Sequence, residues 1–174
     1  MSRTVIIIRH AGPEAHPDRS PASWPLSPAG RIAAAGLNGQ LPSTAFLTSS
    51  REVKAIETLS LAAGVDPAAI HQHDHFGEVH RPAEPFDDDH RARRRAWVEG
   101  RLDARHELWE TPDQAGQRFQ QGLEDLDAGT IAVATHGMVL TAWLVAIGRV
   151  EPGPAAGEFW AELAFPEILT IKLP

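Results

Sequence analysis

The chain contains no cysteine among its 174 residues. Disulfide bonds, thiolate metal ligands and a cysteine nucleophile are therefore excluded, although this absence does not indicate a cellular compartment. Lysine is nearly absent too, because Lys54 and Lys172 are the only two and arginine supplies the remaining positive charge. This rarity makes Lys54 a candidate for a specific role.

The sequence also lacks a long hydrophobic run. No stretch is long enough to span a membrane, and the apolar run before Arg9 is too short for a signal peptide, so we expect a cytoplasmic protein. The formal net charge of −7 argues against general affinity for nucleic acid or anionic membranes. Any anion site must then be a local positive pocket. With 43% hydrophobic residues and no internal repeat, residues 1–174 are expected to form one domain.

Short apolar runs alternate with helical patterns along the chain. Strands are predicted at residues 4–8, 45–48, 71–76, 130–135 and 167–173. Helices are predicted from Ser27-Pro28 to Pro42, from the serine pair Ser49-Ser50 to Gly64, in a basic stretch after residues 87–89, from Thr111 onward and from about Met138 to Ile147. This alternation predicts a three-layer α/β/α sandwich with a mostly parallel central sheet.

Two of the predicted strands end in histidine. The first strand leads into Arg9-His10, and the strand at 130–135 leads into His136-Gly137. In open α/β sheets ligands bind at the carboxyl ends of the strands, so we expect both histidines at one site. The arginine beside His10 indicates an anionic ligand.

These motifs resemble the histidine phosphatase superfamily, whose members have the phosphoglycerate mutase-like fold. The resemblance rests on Arg9-His10, Ser49-Ser50, Glu78 and Thr135-His136-Gly137, which occur in the family's order over most of the chain. It implies a phosphomonoesterase that acts on a small phosphorylated metabolite through a phosphohistidine intermediate. It also implies that the reaction needs no metal or other cofactor.

The resemblance assigns a role to each of these residues. His10 is the expected nucleophile, and Arg9 and His136 are expected to share the charge of the phosphoryl group. Glu78 is the expected proton donor to the leaving group, which needs a carboxyl that keeps its proton near neutral pH. The backbone amide of Gly137, where a helix begins, is a further expected phosphate donor.

The chain departs from the family pattern at two positions. Ala11 stands where the family usually has glycine after the histidine. The family's second phosphate-binding arginine normally precedes an alanine several residues after the serine pair, and Lys54 before Ala55 occupies that position. Arg51, three residues earlier on the same helix face, is the alternative phosphate ligand. The register favours Lys54.

A metal-dependent hydrolase is an alternative interpretation. His71, His73, Asp74 and His75 lie within five residues, and on a strand the three histidines would share one face. Imidazole ligands suit zinc, nickel or iron. Two further alternatives are a mutase-type phosphotransferase and a binding module without catalysis. The shortness of the chain leaves little room for the insertions that close a mutase pocket, which favours hydrolysis.

A basic cluster follows in residues 91–95, with Arg81 upstream. It is interpreted either as a solvated helix face or as a group that steers an anionic substrate. We expect the loop at 11–26 and the segment at 79–112 to select the substrate.

Overall fold

The computed structural model describes residues 2–174, and within this range the chain forms a five-stranded sheet between two layers of helices. The strands are β1 (Arg3–Arg9), β2 (Phe46–Ser49), β3 (His71–Gln72), β4 (Thr130–Thr135) and β5 (Glu167–Leu173). The helices are α1 (Pro28–Ala35), α2 (Val53–Ala63), α3 (His90–Val98), α4 (Pro112–Glu124), α5 (Gly137–Ala146) and α6 (Pro154–Glu162). The strand order is β3-β2-β4-β1-β5, and all pairs are parallel except β1–β5. The expected three-layer α/β/α sandwich is confirmed.

The alternating side chains of β1 divide the hydrophobic interior into two cores. Val5 and Ile7 pack on the face covered by α3, α4, α5 and α6. Ile6 and Ile8 pack on the opposite face against α2, on which α1 lies. Because successive side chains of a strand point to opposite faces, an uninterrupted apolar strand needs helices on both sides.

The pairing of β1 with β4 positions the two strand-end histidines. Arg9 lies opposite Thr135 in the register of this parallel pair. The backbone N–H of His10 then donates to the Thr135 carbonyl at 3.0 Å. His10 and His136 therefore leave the sheet side by side at its carboxyl edge.

Helix α5 follows β4 directly and runs through the first core. Eight of its ten residues are buried, as expected for a helix that is apolar on all sides. Its N-terminus lies beside His136 and directs the backbone N–H groups of its first turn toward the carboxyl edge of the sheet. Within residues 2–174, no helix combines the length and the apolar character that a membrane crossing requires.

Two predicted helix boundaries are wrong. Helix α1 ends at Ala35, not at Pro42, because Gly36 and Gly39 favour turns, and Gly39 has a φ of 84°. Helix α2 begins after Glu52 and is not capped by the serine pair. The hydroxyl of Ser50 instead lies 2.8 Å from Nε2 of His136.

Two further elements differ from the expectation. The extended segment expected at 71–76 is a strand only over His71–Gln72, and a 3₁₀ turn (Asp74–Phe76) follows it. Helix α6 lies outside the predicted elements. It packs against α3 and α5 and buries Trp160 at the edge of the site described below.

Candidate active site

A cavity of about 520 Å³ opens at the carboxyl ends of β1 and β4. Six residues predicted from the sequence line it: Arg9, His10, Lys54, Glu78, His136 and Gly137. They come from both central strands, from α2, from the loop after the 3₁₀ turn and from the start of α5. The topology therefore gathers residues that are more than a hundred positions apart in the chain.

The imidazole of His10 is oriented by the backbone carbonyl of the next residue, Ala11. Its Nδ1 lies 2.8 Å from the Ala11 carbonyl, which can only accept, so Nδ1 carries the ring proton. Burial lowers the pKa of His10 well below its ordinary value, and the neighbouring His136 and Lys54 lower it further. The ring is thus neutral near pH 7, and Nε2 keeps a free lone pair.

Arg9 is fixed by stacking and by one backbone contact. Its Cζ lies 3.4 Å from the centre of the Phe165 ring, and Nη1 donates to the Leu163 carbonyl. Burial lowers the pKa of Arg9 to about 10, so the guanidinium remains charged at neutral pH. A Cβ atom at Gly137 would lie only 3.1 Å from Nε of Arg9, so glycine permits this close approach. Among residues 2–174, Nε is buried and has no hydrogen-bond partner.

His136 is fully buried next to His10, and the two ring centres are 5.1 Å apart. Its Nε2 contacts the hydroxyl of Ser50 at 2.8 Å and lies 3.3 Å from Oε1 of Glu52. Burial lowers the pKa of His136 and outweighs the opposite effect of Glu52. A second neutral imidazole therefore stands beside the first.

Glu52 is a site residue that the sequence analysis missed. Its Oε1 accepts the backbone N–H of Glu78 at 3.0 Å, and its Oε2 pairs with Nζ of Lys54. Burial alone would raise its pKa, but the neighbouring His136 and Lys54 outweigh that effect and lower the pKa to about 2. Its place at a helix start resembles an ordinary terminal acid, so the only signal was its spacing from the rare lysine.

Lys54 lies inside the cavity, and its side chain is only 7% exposed. Besides the pair with Glu52, Nζ donates to the Pro21 carbonyl at 2.7 Å, which ties α2 to the loop at 11–26. An ammonium group has three N–H donors, so one remains for a ligand. Arg51, the alternative phosphate ligand, lies outside the cavity lining with a 62% exposed side chain paired to Asp74. The turn that precedes α2 directs Arg51 to the surface.

Glu78 caps the N-terminus of α5. Its carboxylate accepts backbone N–H groups from Val79 at 2.9 Å, Val139 at 3.0 Å and Met138 at 3.3 Å. Burial raises its pKa, but Arg81 and the N–H bonds outweigh this effect, and the pKa is lowered overall. Glu78 is therefore ionised near neutral pH in the ligand-free protein, and its role as proton donor stays a prediction that needs an adjacent anion such as a substrate phosphate.

Ala11, which replaces the family's glycine, does not narrow the cavity. Its methyl group is buried in a small apolar cluster with Leu26 and Ala34. Its backbone N–H donates to the Thr58 hydroxyl at 2.9 Å. The extra methyl thus adds to packing beneath the loop and leaves the space above His10 open.

Two arginines of the basic cluster reach the cavity. Arg81 and Arg94 line its far wall, and both donate to the carboxylate of Glu84. The other three have partners elsewhere: Arg91 with the Ala161 carbonyl and the Trp160 ring, Arg93 with Asp87 and Arg95 with Glu99. The cluster is therefore divided between a solvated helix face and the cavity wall.

The histidine-rich segment is not part of the cavity, and its four residues do not form one metal site. Asp74 pairs with Arg51, and His71 contacts Thr48. His73 and His75 instead face Asp125, just beyond α4. The three histidines do not share the expected face, because the strand stops at Gln72 and a 3₁₀ turn replaces it from Asp74.

The protein belongs to the class of open α/β sheets, in which ligands bind at the carboxyl ends of the strands. Here two neutral histidines and two buried cations lie at those ends. Comparison with known families identifies the superfamily within this class. The model of the histidine phosphatase superfamily (branch 1) matches residues 5–157. The chain belongs to this superfamily.

Solved structures share the fold at low sequence identity. A mycobacterial glucosyl-3-phosphoglycerate phosphatase has a TM-score of 0.71 at 13% identity, with 99% of this chain and 91% of that chain covered. A phosphoserine phosphatase from Entamoeba histolytica has a TM-score of 0.71 at 15% identity, covering 97% and 89%. A phosphoglycerate mutase from Bacillus anthracis str. Sterne has a TM-score of 0.68 at 15% identity, covering 99% and 88%. The search of curated proteins found no significant match.

Proposed function

We propose that this protein is a phosphomonoesterase that hydrolyses a small phosphorylated metabolite through a phosphohistidine at His10. The observation that carries the proposal is the neutral His10 ring, with Nδ1 bound to the Ala11 carbonyl and Nε2 free beside buried cations. A neutral imidazole is a good nucleophile near pH 7, and the phosphoramidate that it forms is labile to water. The phosphate would be held by Arg9, Lys54, His136 and the amide of Gly137.

In the first step, Nε2 of His10 attacks phosphorus, and the bond to the leaving oxygen breaks. Lys54 has an unused N–H donor for the equatorial oxygens, and the charged guanidinium of Arg9 lines the same cavity. Both cations would stabilise the negative charge on these oxygens in the transition state. In the second step, water attacks phosphorus, the phosphorus–nitrogen bond breaks and inorganic phosphate leaves. The reaction thus needs one proton for the leaving alkoxide and one acceptor for the proton of water.

Glu78 is proposed to supply and recover this proton. Its carboxylate is ionised in the ligand-free protein, but a bound phosphate brings negative charge beside it and raises its pKa. Glu78 would then take up a proton with the substrate, give it to the leaving oxygen and accept it back from the attacking water.

The cavity size supports a small substrate. A volume of about 520 Å³ lies in the range of pockets that hold single metabolites. Two of the structural relatives act, by their names, on glucosyl-3-phosphoglycerate and phosphoserine, which are phosphorylated small molecules. Trp24, Trp160, Arg81 and Arg94 line the part of the cavity available to the non-phosphate end.

The test is a screen over a panel of phosphomonoesters with His10→Ala as the key variant. We expect His10→Ala to stay folded and to lose activity by several orders of magnitude, because a covalent step without its nucleophile has no substitute. His90→Ala, an exposed histidine on α3 outside the cavity, is the matched control and should keep full activity. Rapid quenching with ³²P-labelled substrate should give acid-labile, base-stable label on the parent protein only. Comparable turnover by His10→Ala would overturn the proposal.

Product analysis separates hydrolysis from transfer. Release of inorganic phosphate at the rate of substrate loss supports a phosphatase. If the label instead passes to a second hydroxyl of an added acceptor, the protein is a mutase-type phosphotransferase, which shares the first step.

A further inference from the structure

The fold gathers three potential metal ligands on the side of α4, outside the cavity around His10. Oδ2 of Asp125 lies 3.4 Å from Nε2 of His73 and 3.6 Å from Nδ1 of His75. All three ligand atoms lie within 4.8 Å of one another. The cluster joins the turn after β3 to the C-terminal end of α4, two elements that are far apart in sequence.

Packing holds these residues in place. A Cβ atom at Gly122 would lie 2.8 Å from Cβ of His75 and 2.9 Å from the Phe76 ring, so glycine allows the turn to sit directly on α4. Asp125 follows Gly122 by three residues and therefore lies on the same helix face. Arg118 of α4 donates to the His75 carbonyl at 2.6 Å and fixes the turn from the other side. The approach of the two histidines to Asp125 is thus set by buried backbone and not by flexible side chains.

Hydrogen bonding does not account for this convergence. Nδ1 of His75 is buried and has no hydrogen-bond partner within residues 2–174. Its lone pair or proton faces a carboxylate oxygen at a distance too long for a hydrogen bond. Gln121 donates to Oδ1 of Asp125 at 2.9 Å, which orients the carboxylate and leaves Oδ2 directed at the histidines.

The distances between the ligand atoms fit tetrahedral coordination of a zinc ion. Ligand atoms that each lie about 2.0–2.1 Å from a tetrahedral zinc ion are about 3.3–3.4 Å apart. The two nitrogen–oxygen distances of 3.4 and 3.6 Å are close to this value. Two imidazoles and one carboxylate are also a donor set that suits zinc, and water can occupy the fourth position because Asp125 is 41% exposed.

We propose that His73, His75 and Asp125 form a zinc site that braces the turn after β3 against α4, separate from the proposed catalytic cavity. Zinc binding at His73 moves a proton within the imidazole ring. Nδ1 of His73 accepts the His75 backbone N–H at 3.2 Å, so the ring proton is on Nε2 in the metal-free protein. Zinc at Nε2 shifts this proton to Nδ1, the ring stays neutral and one long hydrogen bond is lost in exchange for a metal bond.

The test is calorimetric titration of zinc sulfate into tag-free protein. The His10→Ala background is used so that zinc bound at the catalytic imidazole does not contribute. We expect one zinc per chain and a melting temperature that rises by about 5 °C or more when free zinc is a hundredfold above Kd. X-ray absorption at the zinc edge should show two imidazole ligands. No substrate is present, so failure of this proposal is distinguishable from failure of the phosphatase proposal.

Matched variants decide which carboxylate binds. Asp125→Asn, His73→Ala and His75→Ala should each weaken zinc binding at least about tenfold, since each removes one metal ligand. Asp74→Asn is the control, because Asp74 lies between the two histidines in sequence but pairs with Arg51. Its Kd should change by less than about twofold. Asp125→Asn is isosteric, so it keeps the test informative if a histidine variant unfolds. Unchanged binding in Asp125→Asn, or equal weakening by both carboxylate variants, would refute the site.

Discussion

Replacement of Lys54 by methionine separates two effects that the structure joins in one side chain. Lys54 is positioned to hold a phosphate oxygen, and it also neutralises the buried carboxylate of Glu52. Loss of one preorganised donor to a developing anion costs about a hundredfold or more in rate. We therefore expect kcat/KM of Lys54→Met to fall about a hundredfold with p-nitrophenyl phosphate or any better substrate from the panel.

The same variant should lose stability. Removal of one partner of a buried ion pair costs about 3–5 kcal/mol. Because Glu52 keeps the backbone N–H of Glu78 and the contact with His136, we expect the lower end of that range, about 3 kcal/mol in the free energy of unfolding. Urea unfolding followed by tryptophan fluorescence measures this loss. Arg51→Met is the matched control, since its exposed ion pair with Asp74 should contribute less than about 1 kcal/mol and its kcat/KM should fall less than about tenfold.

The double variant Lys54→Met/Glu52→Gln gives the decisive comparison. It removes the unpaired buried charge, so its stability should return to within about 1 kcal/mol of the parent protein. If Lys54 binds phosphate, kcat/KM should remain about a hundredfold below that of the Glu52→Gln single variant. If activity returns together with stability, Lys54 serves only to neutralise Glu52 and the reasoning about the phosphate pocket is refuted.

Two further predictions concern the carboxylates. Glu78→Gln should lower kcat on alkyl phosphates about a hundredfold or more. The loss should be much smaller with p-nitrophenyl phosphate, because its leaving group needs no proton. Equal losses on both substrates would show that Glu78 is only structural. The pKa of Glu52 is about 2 in the folded protein and 4.5 ordinarily, so its contribution to stability is present above about pH 4.5 and lost as the pH falls toward 2. This contribution is about 3 kcal/mol. Urea unfolding at pH 6 and pH 3 should show that the free energy of unfolding depends less on pH in Glu52→Gln than in the parent protein. An identical pH dependence in the two proteins would contradict the assignment.

The sequence alone predicted the layered α/β architecture and the convergence of two strand ends, although it gave no signal for helix α6. Apolar runs short enough for strands alternate with amphipathic helices, and such a pattern can bury both faces of a sheet only in a layered α/β fold. Residues at the ends of β1 and β4 were predictable as neighbours because parallel strands end at one edge. Arg9, His10, His136 and Gly137 therefore lie together as expected, whereas the roles proposed for them still depend on the tests above.

Local pattern could not determine charge states and partners, because these depend on contacts between distant parts of the chain. The pKa of Glu78 is lowered by Arg81 and by His136, which lies almost sixty residues later, and amides at the start of α5 also bind its carboxylate. Glu52 resembled a helix-terminal acid until the fold placed His136 and Lys54 against it.

In the histidine-rich segment, too, the sequence determined one property and the tertiary structure another. Its sequence determined that several imidazoles lie close together, since they are two positions apart. Only the tertiary structure decided that Asp125, fifty residues after His75, faces them, while Asp74 turns to Arg51. The physical reason is that a short turn can reverse the direction of adjacent side chains, whereas close helix packing at Gly122 brings a distant carboxylate within reach.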